Sequence, residues 1–210
     1  MNSFDRKALA LLISLFIGGL VVAALISSKI IMVAGFPVPA GVLAYSITFL
    51  ISDVVSEVWG KECANEIVQC GFITLVMTSA IAWLAVIWPS APFWSGQDSF
   101  AAVIGSTPRI VTASLIAYLV SQKHDIWLFH LLKKQTSGKH LWLRNNLSTV
   151  ISQLFDSTIF VSIAFWGILP VGEIILGQWL VKMVIALLDT PIVYILCHIL
   201  QRRMQPAEAL

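Results

Sequence analysis

The stretch ALALLISLFIGGLVVAALISS, residues 8–28, decides the fold class of this chain. It holds 21 residues without a charged side chain and directly follows Arg6 and Lys7. About 20 apolar residues in a helix cross the ~30 Å hydrocarbon layer of a bilayer. The run is too long for a signal-peptide core and lacks a convincing small-x-small cleavage site, so it predicts a retained transmembrane helix.

The composition of the whole chain agrees with this interpretation. Of the 210 residues, 58% are hydrophobic and 11% are charged, with a mean hydropathy of +0.88 and a net charge of +2. Soluble domains carry about 25% charged residues, and disordered chains are far less apolar, so both classes are excluded. The cysteines (Cys63, Cys70 and Cys197) form no CxxC or Cys/His spacing, which argues against a disulfide framework or a zinc site.

Six apolar runs fit within the chain and leave no room for a soluble catalytic domain. The predicted fold class is therefore all-α, a polytopic integral membrane protein with six transmembrane helices in a single domain, residues 1–210. Residues 89–106 read as an interfacial loop, and Pro191 predicts a kink in the last helix. The predicted helices are 8–28, 38–58, 66–88, 108–132, 147–169 and 174–200.

Lys and Arg residues sort to one side of the predicted membrane. Nine of them fall at the N-terminus, the second and fourth connections and the C-terminus, whereas Lys29 alone falls on the opposite side. Because cytoplasmic loops are enriched in Lys and Arg, both termini are predicted to be cytoplasmic.

Several ionisable residues lie inside or near the predicted spans. Each such charge costs about 2.5–3.5 kcal/mol at a helix centre, so the set needs a common explanation. Helix-packing ion pairs are one alternative, but four aspartates exceed the two cations at depth, Lys123 and Lys182. A ligand site or a set of proton carriers is therefore favoured. The residues concerned are Asp53, Asp125, Asp156, Lys182 and Asp189, with Glu57 and Arg109 nearer the span ends.

A short repeat is the most informative polar feature. Residues 121–125 and 152–156 both read SQxxD, in two helices predicted to be antiparallel neighbours. Facing residues in such a hairpin have a nearly constant index sum, which places the two boxes opposite each other at one depth. Each box puts Gln and Asp on one helix face. Unless the repeat is a chance echo, two carboxamides and two carboxylates meet near the membrane midplane, where transporters built from repeats bind substrate.

Gly19, Ala23 and Ser27 form a small-xxx-small ridge on the first helix. Such a ridge favours close helix packing, with a docking face for a second protein as the alternative. No phosphate loop, zinc-protease helix or nucleophile elbow is present, so no catalytic residue, metal ligand or cofactor is predicted.

Four separated motifs stand in order within residues 29–194. They are SDVVSEVWGK at 52–61, Arg109 with Ala117-Tyr118 and the first SQxxD, Arg144-Asn145-Asn146 with Ser148-Thr149 and the second SQxxD, and Lys182 with Asp189-Thr190-Pro191. In these motifs the chain resembles the queuosine precursor transporter family of the vitamin-uptake group. The resemblance implies a bacterial inner-membrane importer of the deazaguanine bases preQ0 and preQ1, salvaged for tRNA modification.

The chemistry of a deazaguanine fits the polar residues already singled out. Its N1–H and exocyclic amine need acceptors, which carboxylates supply, and its carbonyl needs a donor such as a carboxamide. The expected primary ligands are Gln122, Asp125, Gln153 and Asp156. The secondary ligands or proton carriers are Asp53, Glu57, Lys182 and Asp189, to which the resemblance adds Arg109 and Asn145.

Two other functions remain open at this stage. One is a substrate-binding subunit that needs an ATP-driven energising module, and the other is an intramembrane enzyme or a structural subunit. The expected partners are the deazaguanine and the lipid bilayer, without nucleic acid, and a homodimer stays open. The sequence does not distinguish preQ0, preQ1 and queuine, or proton, sodium and facilitated transport.

Overall fold

A computed structural model describes residues 3–135 and 141–204 of the chain, and most of them are helical. Six helices are long, and a short hairpin and a short helix lie between them. In chain order the elements are α1 (Ser3–Ile26), β1 (Ile30–Val33), β2 (Phe36–Pro39), α2 (Gly41–Trp59), α3 (Lys61–Ile87), α4 (Gln97–Ile104), α5 (Thr107–Gln135), α6 (Leu141–Phe165) and α7 (Val171–Met204).

Five helical segments of the described chain are long and apolar enough to cross a membrane. They lie in α1, α2, α3, α7 and the stretch from α4 into α5, and α6 adds a shorter apolar segment, Val150–Phe165. The all-α polytopic membrane fold is thereby confirmed. The predicted spans correspond to α1, α2, α3, α5, α6 and α7, and α7 continues through Pro191.

The six long helices pack around two hydrophobic clusters. One joins α1, α2, α3 and the start of α5 through residues such as Phe16, Ile51 and Leu75. The other joins α5, α6 and α7 through residues such as Ala117 and Val161. Contacts of α2 with α7 and of α3 with α5 connect the two halves, so the helices surround a common centre.

A two-stranded hairpin follows α1, between the predicted helices 8–28 and 38–58 and overlapping the start of the second. Ala34 and Gly35 both have positive φ, 50° and 87°, which is the geometry of the two-residue turns that join twisted antiparallel strands. Val38 is fully buried and packs with Val42 and Val181. The hairpin is therefore fixed against the start of α2 and the side of α7.

Residues 97–104 form the helix α4, although the whole of 89–106 was predicted as a loop. None of its residues is buried, and Gln97 Nε2 donates to Val86 O at 2.8 Å. The prediction was wrong here because it relied on the Pro and Gly content of residues 89–106 as a whole, whereas residues 97–104 contain neither Pro nor Gly.

The small-residue ridge of α1 packs against α2 of the same chain. Ala23 and Ser27 are buried, and a Cβ on Gly41 would lie 1.9 Å from Ser27 Oγ and 2.6 Å from Ala23 O. Gly19 similarly approaches Thr48 of α2. Close packing is thus confirmed, and the ridge is covered by α2 rather than open to a second protein.

We expect Gly41→Ala to destabilise the bundle by about 1–3 kcal/mol, because the added methyl group enters occupied space. The matched control is Gly18→Ala, since a Cβ there meets nothing within 4 Å. The measurement is the midpoint of thermal unfolding in detergent. Equal midpoints for the two variants would contradict the close approach of α1 and α2.

Candidate functional site

An ion pair joins α6 and α7 inside the bundle. Lys182 Nζ donates to Asp156 Oδ2, and the side chains of Lys182 and Asp156 are only 6% and 12% exposed. Ser121 Oγ lies 3.5 Å from Asp156 Oδ1, and Lys182 Nζ lies 5.5 Å from the centre of the Tyr45 ring. A single charge in a membrane core is costly, so each group stabilises the other.

The two SQxxD boxes face each other, as their spacing predicted. Ser121 of the first box approaches Asp156 of the second, and His124 Nδ1 lies 3.4 Å from Ser152 Oγ. These contacts fix α5 and α6 as an antiparallel pair in the expected register. The side chains of Gln122 and Asp125 lie outside the described part of the structure, so their placement stays a prediction.

A cavity at the centre of the bundle is lined by all six long helices. It offers about 50 Å³ to the centres of water molecules, room for roughly four of them. We call it the outer cavity, because Pro39 and Gly41 border it on the side that the predicted topology assigns to the periplasm. Its polar lining consists of Ser27, Tyr45, Ser114, Asp156, Gln178 and Lys182.

The walls of the outer cavity are otherwise apolar. Phe72 and Leu75 of α3 and Phe160 of α6 contribute the largest hydrophobic side chains, and Leu20, Ala23 and Ala24 of α1 add smaller surfaces. A mostly apolar cavity with a few convergent polar groups is the common form of a small-molecule site. The arrangement suits a small, partly polar ligand.

A second cavity lies further along α2 and α7, and we call it the inner cavity. It offers about 270 Å³ on the same measure, and Asp53, Gln153 and Asp189 line it. Gln153 Oε1 and Asp189 Oδ2 are buried and find no hydrogen-bond partner within the described part of the chain. Since an unpaired buried polar group costs about 1–3 kcal/mol, these two acceptors are ready to bind a donor or a cation.

The ion pair stands where the two cavities meet. Val42, Tyr45 and Lys182 line both of them. Tyr45 and Asp53 are eight residues apart on α2, which corresponds to about 12 Å along the helix axis. The outer and inner cavities are therefore successive along the bundle, with Lys182 and Tyr45 between them.

The structure collects five of the sequence-predicted site residues around the two cavities and places two elsewhere. Glu57 is exposed and lines neither cavity, and Arg109 donates from Nε to Ile163 O at 2.6 Å and from its guanidinium to Trp166 O at 2.8 Å. Arg109 thus binds the end of α6. The side chain of Asn145 lies outside the described residues. The five that meet are Asp53, Gln153, Asp156, Lys182 and Asp189.

Tyr45 and Gln178 are among the cavity residues that the sequence analysis missed. Tyr45 shares a face of α2 with Asp53, and Gln178 stands one helical turn before Lys182 on α7. Both could have been found by extending the helix face of a recognised charged residue toward the other end of its span. Neither is charged, so the cost of burying a charge did not single them out.

A polytopic helical bundle with a charged pair between two internal cavities defines a class of protein, the small-molecule membrane transporters. The family model described as "Putative vitamin uptake transporter" matches residues 39–196. The chain belongs to this family of transporters, and it is a multi-pass protein of the bacterial inner membrane.

Curated relatives are similar over much of the chain. A protein of Bacillus subtilis (strain 168) named "Probable queuosine precursor transporter" is 31% identical over 170 residues, 79% of this chain and 74% of the relative. The "Queuosine precursor transporter" of Escherichia coli (strain K12) is 26% identical over 136 residues, 65% of this chain and 59% of that protein. No solved structure matches the chain.

Proposed function

We propose that this transporter imports queuosine precursors, the deazaguanine bases preQ0 and preQ1, for salvage into tRNA. The observation that carries the proposal is the buried Asp156–Lys182 pair at the junction of two internal cavities. The names of the relatives support the same substrate class. The resemblance in the motifs around Asp53, Asp156 and Lys182 points in the same direction.

The pair offers complementary chemistry to a deazaguanine. Asp156 accepts a hydrogen bond from the donor edge of the base, from N1–H or the exocyclic amine, while Lys182 donates one to the ring carbonyl. The two groups satisfy each other in the structure, so a ligand that replaces the pairing leaves neither charge alone. A site built on such bonds rejects analogues that lack them, because its own buried groups would then be unpaired.

The apolar walls of the outer cavity pack against the two faces of the deazaguanine ring. Phe72 and Phe160 border the outer cavity, and aromatic rings stack favourably on flat heterocycles. The inner cavity supplies the next set of acceptors along the path, with Asp53, Gln153 and Asp189. Substrate bound first in the outer cavity then passes Lys182 and Tyr45 toward the cytoplasm.

The direct test is uptake of labelled preQ0 and preQ1 by bacterial cells that neither synthesise nor import them. Expression of this chain is expected to give uptake and to restore queuosine in tRNA, and the empty vector is expected to give neither. No uptake by the wild-type chain would contradict the proposal. Uptake into liposomes holding only this protein would exclude an obligatory ATP-driven module.

We expect Arg109→Gln to affect stability rather than transport. The variant loses the hydrogen bonds to Ile163 O and Trp166 O, worth about 1 kcal/mol at this exposed position. Its thermal midpoint should fall, whereas the KM for uptake should change less than about twofold. Arg202→Gln, at an exposed position near the end of α7, is the control. A raised KM for uptake with an unchanged thermal midpoint would instead indicate that Arg109 binds the substrate.

A further inference from the structure

Gln178 is a buried polar residue to which neither the sequence motifs nor the ion pair gives a role. It lies on α7 with 5% of its surface exposed, and it lines the outer cavity. Its Oε1 atom is buried and has no hydrogen-bond partner among the residues that the structure describes. The next residue, Trp179, donates from Nε1 to Val150 O at 3.1 Å. On this turn of α7, the Trp179 side chain is thus paired while Gln178 Oε1 is not.

An unpaired buried acceptor is unusual in native proteins and calls for a donor. A structural donor would be expected on the protein itself, but the described side chains and backbone groups around Oε1 supply none. The outer cavity has room for roughly four water molecules, so a donor on a ligand can reach the amide. Gln178 and Lys182 are spaced i, i+4 and share one face of α7. The Gln178 amide and the Lys182 ammonium group thus line the outer cavity from one face of α7, and Asp156 lines it from α6.

We infer that Gln178 binds the transported base, with Oε1 accepting a hydrogen bond from a ring N–H or from the exocyclic amine. This inference rests on the proposed function and extends it, because it names the residue that selects for donor-bearing heterocycles. Asp156, Lys182 and Gln178 then supply two acceptors and one ammonium donor at the cavity, on α6 and α7. A guanine-like edge has the matching set, with two donor groups and one carbonyl.

The test uses the full chain purified in detergent and three ligands. These are preQ1, its N1-methyl analogue and an analogue with hydrogen in place of the exocyclic amine. The main variant is Gln178→Met, which keeps the length of the side chain and removes the acceptor. Gln178→Glu keeps the acceptor oxygen. Gln69→Met, at an exposed position of α3 that lines neither cavity, is the matched control.

We expect wild-type protein to bind preQ1 at least about tenfold more tightly than one of the two analogues, the difference that a lost hydrogen bond produces. In Gln178→Met, affinity for preQ1 should fall about tenfold, and the preference over that analogue should fall to less than about threefold. Gln69→Met should behave as the wild type. If Gln178 had only a structural role, Gln178→Met would lose affinity for all three ligands equally, and the preference for preQ1 would be unchanged.

The outcomes separate the inference from the proposed function. If wild-type protein binds preQ1 and Gln178→Met keeps both the affinity and the preference, the inference is wrong and the proposed function stands. If wild-type protein binds no deazaguanine, the proposed function itself fails. If Gln178→Met does not fold, Gln178→Glu serves as the test. It retains an acceptor oxygen, so it must keep the preference for preQ1 over the analogue if Oε1 is the acceptor.

Discussion

Asp156→Asn is expected to reduce uptake of preQ1 by at least about 100-fold. Removing one partner of a buried ion pair costs about 3–5 kcal/mol, because the other charge is left alone, here Lys182 inside a membrane. The variant also weakens the acceptor that the proposed site offers to the donor edge of the base. Lys182→Met should lose a similar amount. The measurement is the initial rate of uptake, normalised to the amount of protein in the membrane.

A double variant separates loss of function from loss of folding. Asp156→Asn combined with Lys182→Met leaves no buried charge unpaired, so its thermal midpoint should return toward that of the wild type. Uptake should stay at the level of the single variants, because both groups that bind the base are gone. Recovery of uptake together with stability would show that the pair only holds α6 to α7. Asp98→Asn, at an exposed position of α4, is the charge control.

Asp53→Asn combined with Asp189→Asn is expected to reduce uptake about 30-fold while changing the affinity for preQ1 less than about threefold. The two carboxylates line the inner cavity, beyond Lys182 as seen from the outer cavity. Their removal should therefore slow passage toward the cytoplasm and leave first binding in place. The two measurements are the uptake rate in cells and the dissociation constant of the purified protein.

The control for this pair is Glu62→Gln combined with Glu66→Gln, which removes two exposed carboxylates from α3. It should leave both uptake and affinity as in the wild type. If the Asp53/Asp189 variant loses affinity as strongly as uptake, the two cavities form one site. Unchanged uptake would remove the inner cavity from the transport path.

The transmembrane helices were predictable because the bilayer imposes a single strong constraint, about 20 apolar residues for each span. The facing of the SQxxD boxes was predictable for a similar reason, since an antiparallel helix pair leaves one register once the connection is short. Ser121 and Asp156 meet accordingly. The hairpin at 30–39 was not predictable, because its short apolar strands resemble the ends of the flanking helices.

Part of the candidate site could not be predicted from the sequence, for a different reason. The cost of burying charge identifies Asp156 and Lys182 without any structure, but it says nothing about neutral groups such as Tyr45 and Gln178. It also did not say that Arg109 would bind the carbonyl ends of α6. Whether a polar side chain faces a cavity or binds the end of a neighbouring helix depends on the rotation of its helix about the helix axis. The packing of the whole bundle sets that rotation.

Because each of the six long helices contributes side chains to the outer cavity, no fragment of the chain can assemble that binding surface alone. If the proposed base binds there, it contacts all six helices, so its binding favours the assembled bundle over partly unfolded states. At a concentration 100 times its dissociation constant it would raise the free energy of unfolding by about 2.7 kcal/mol. We therefore expect a supply of the base to slow degradation of the transporter in the cell.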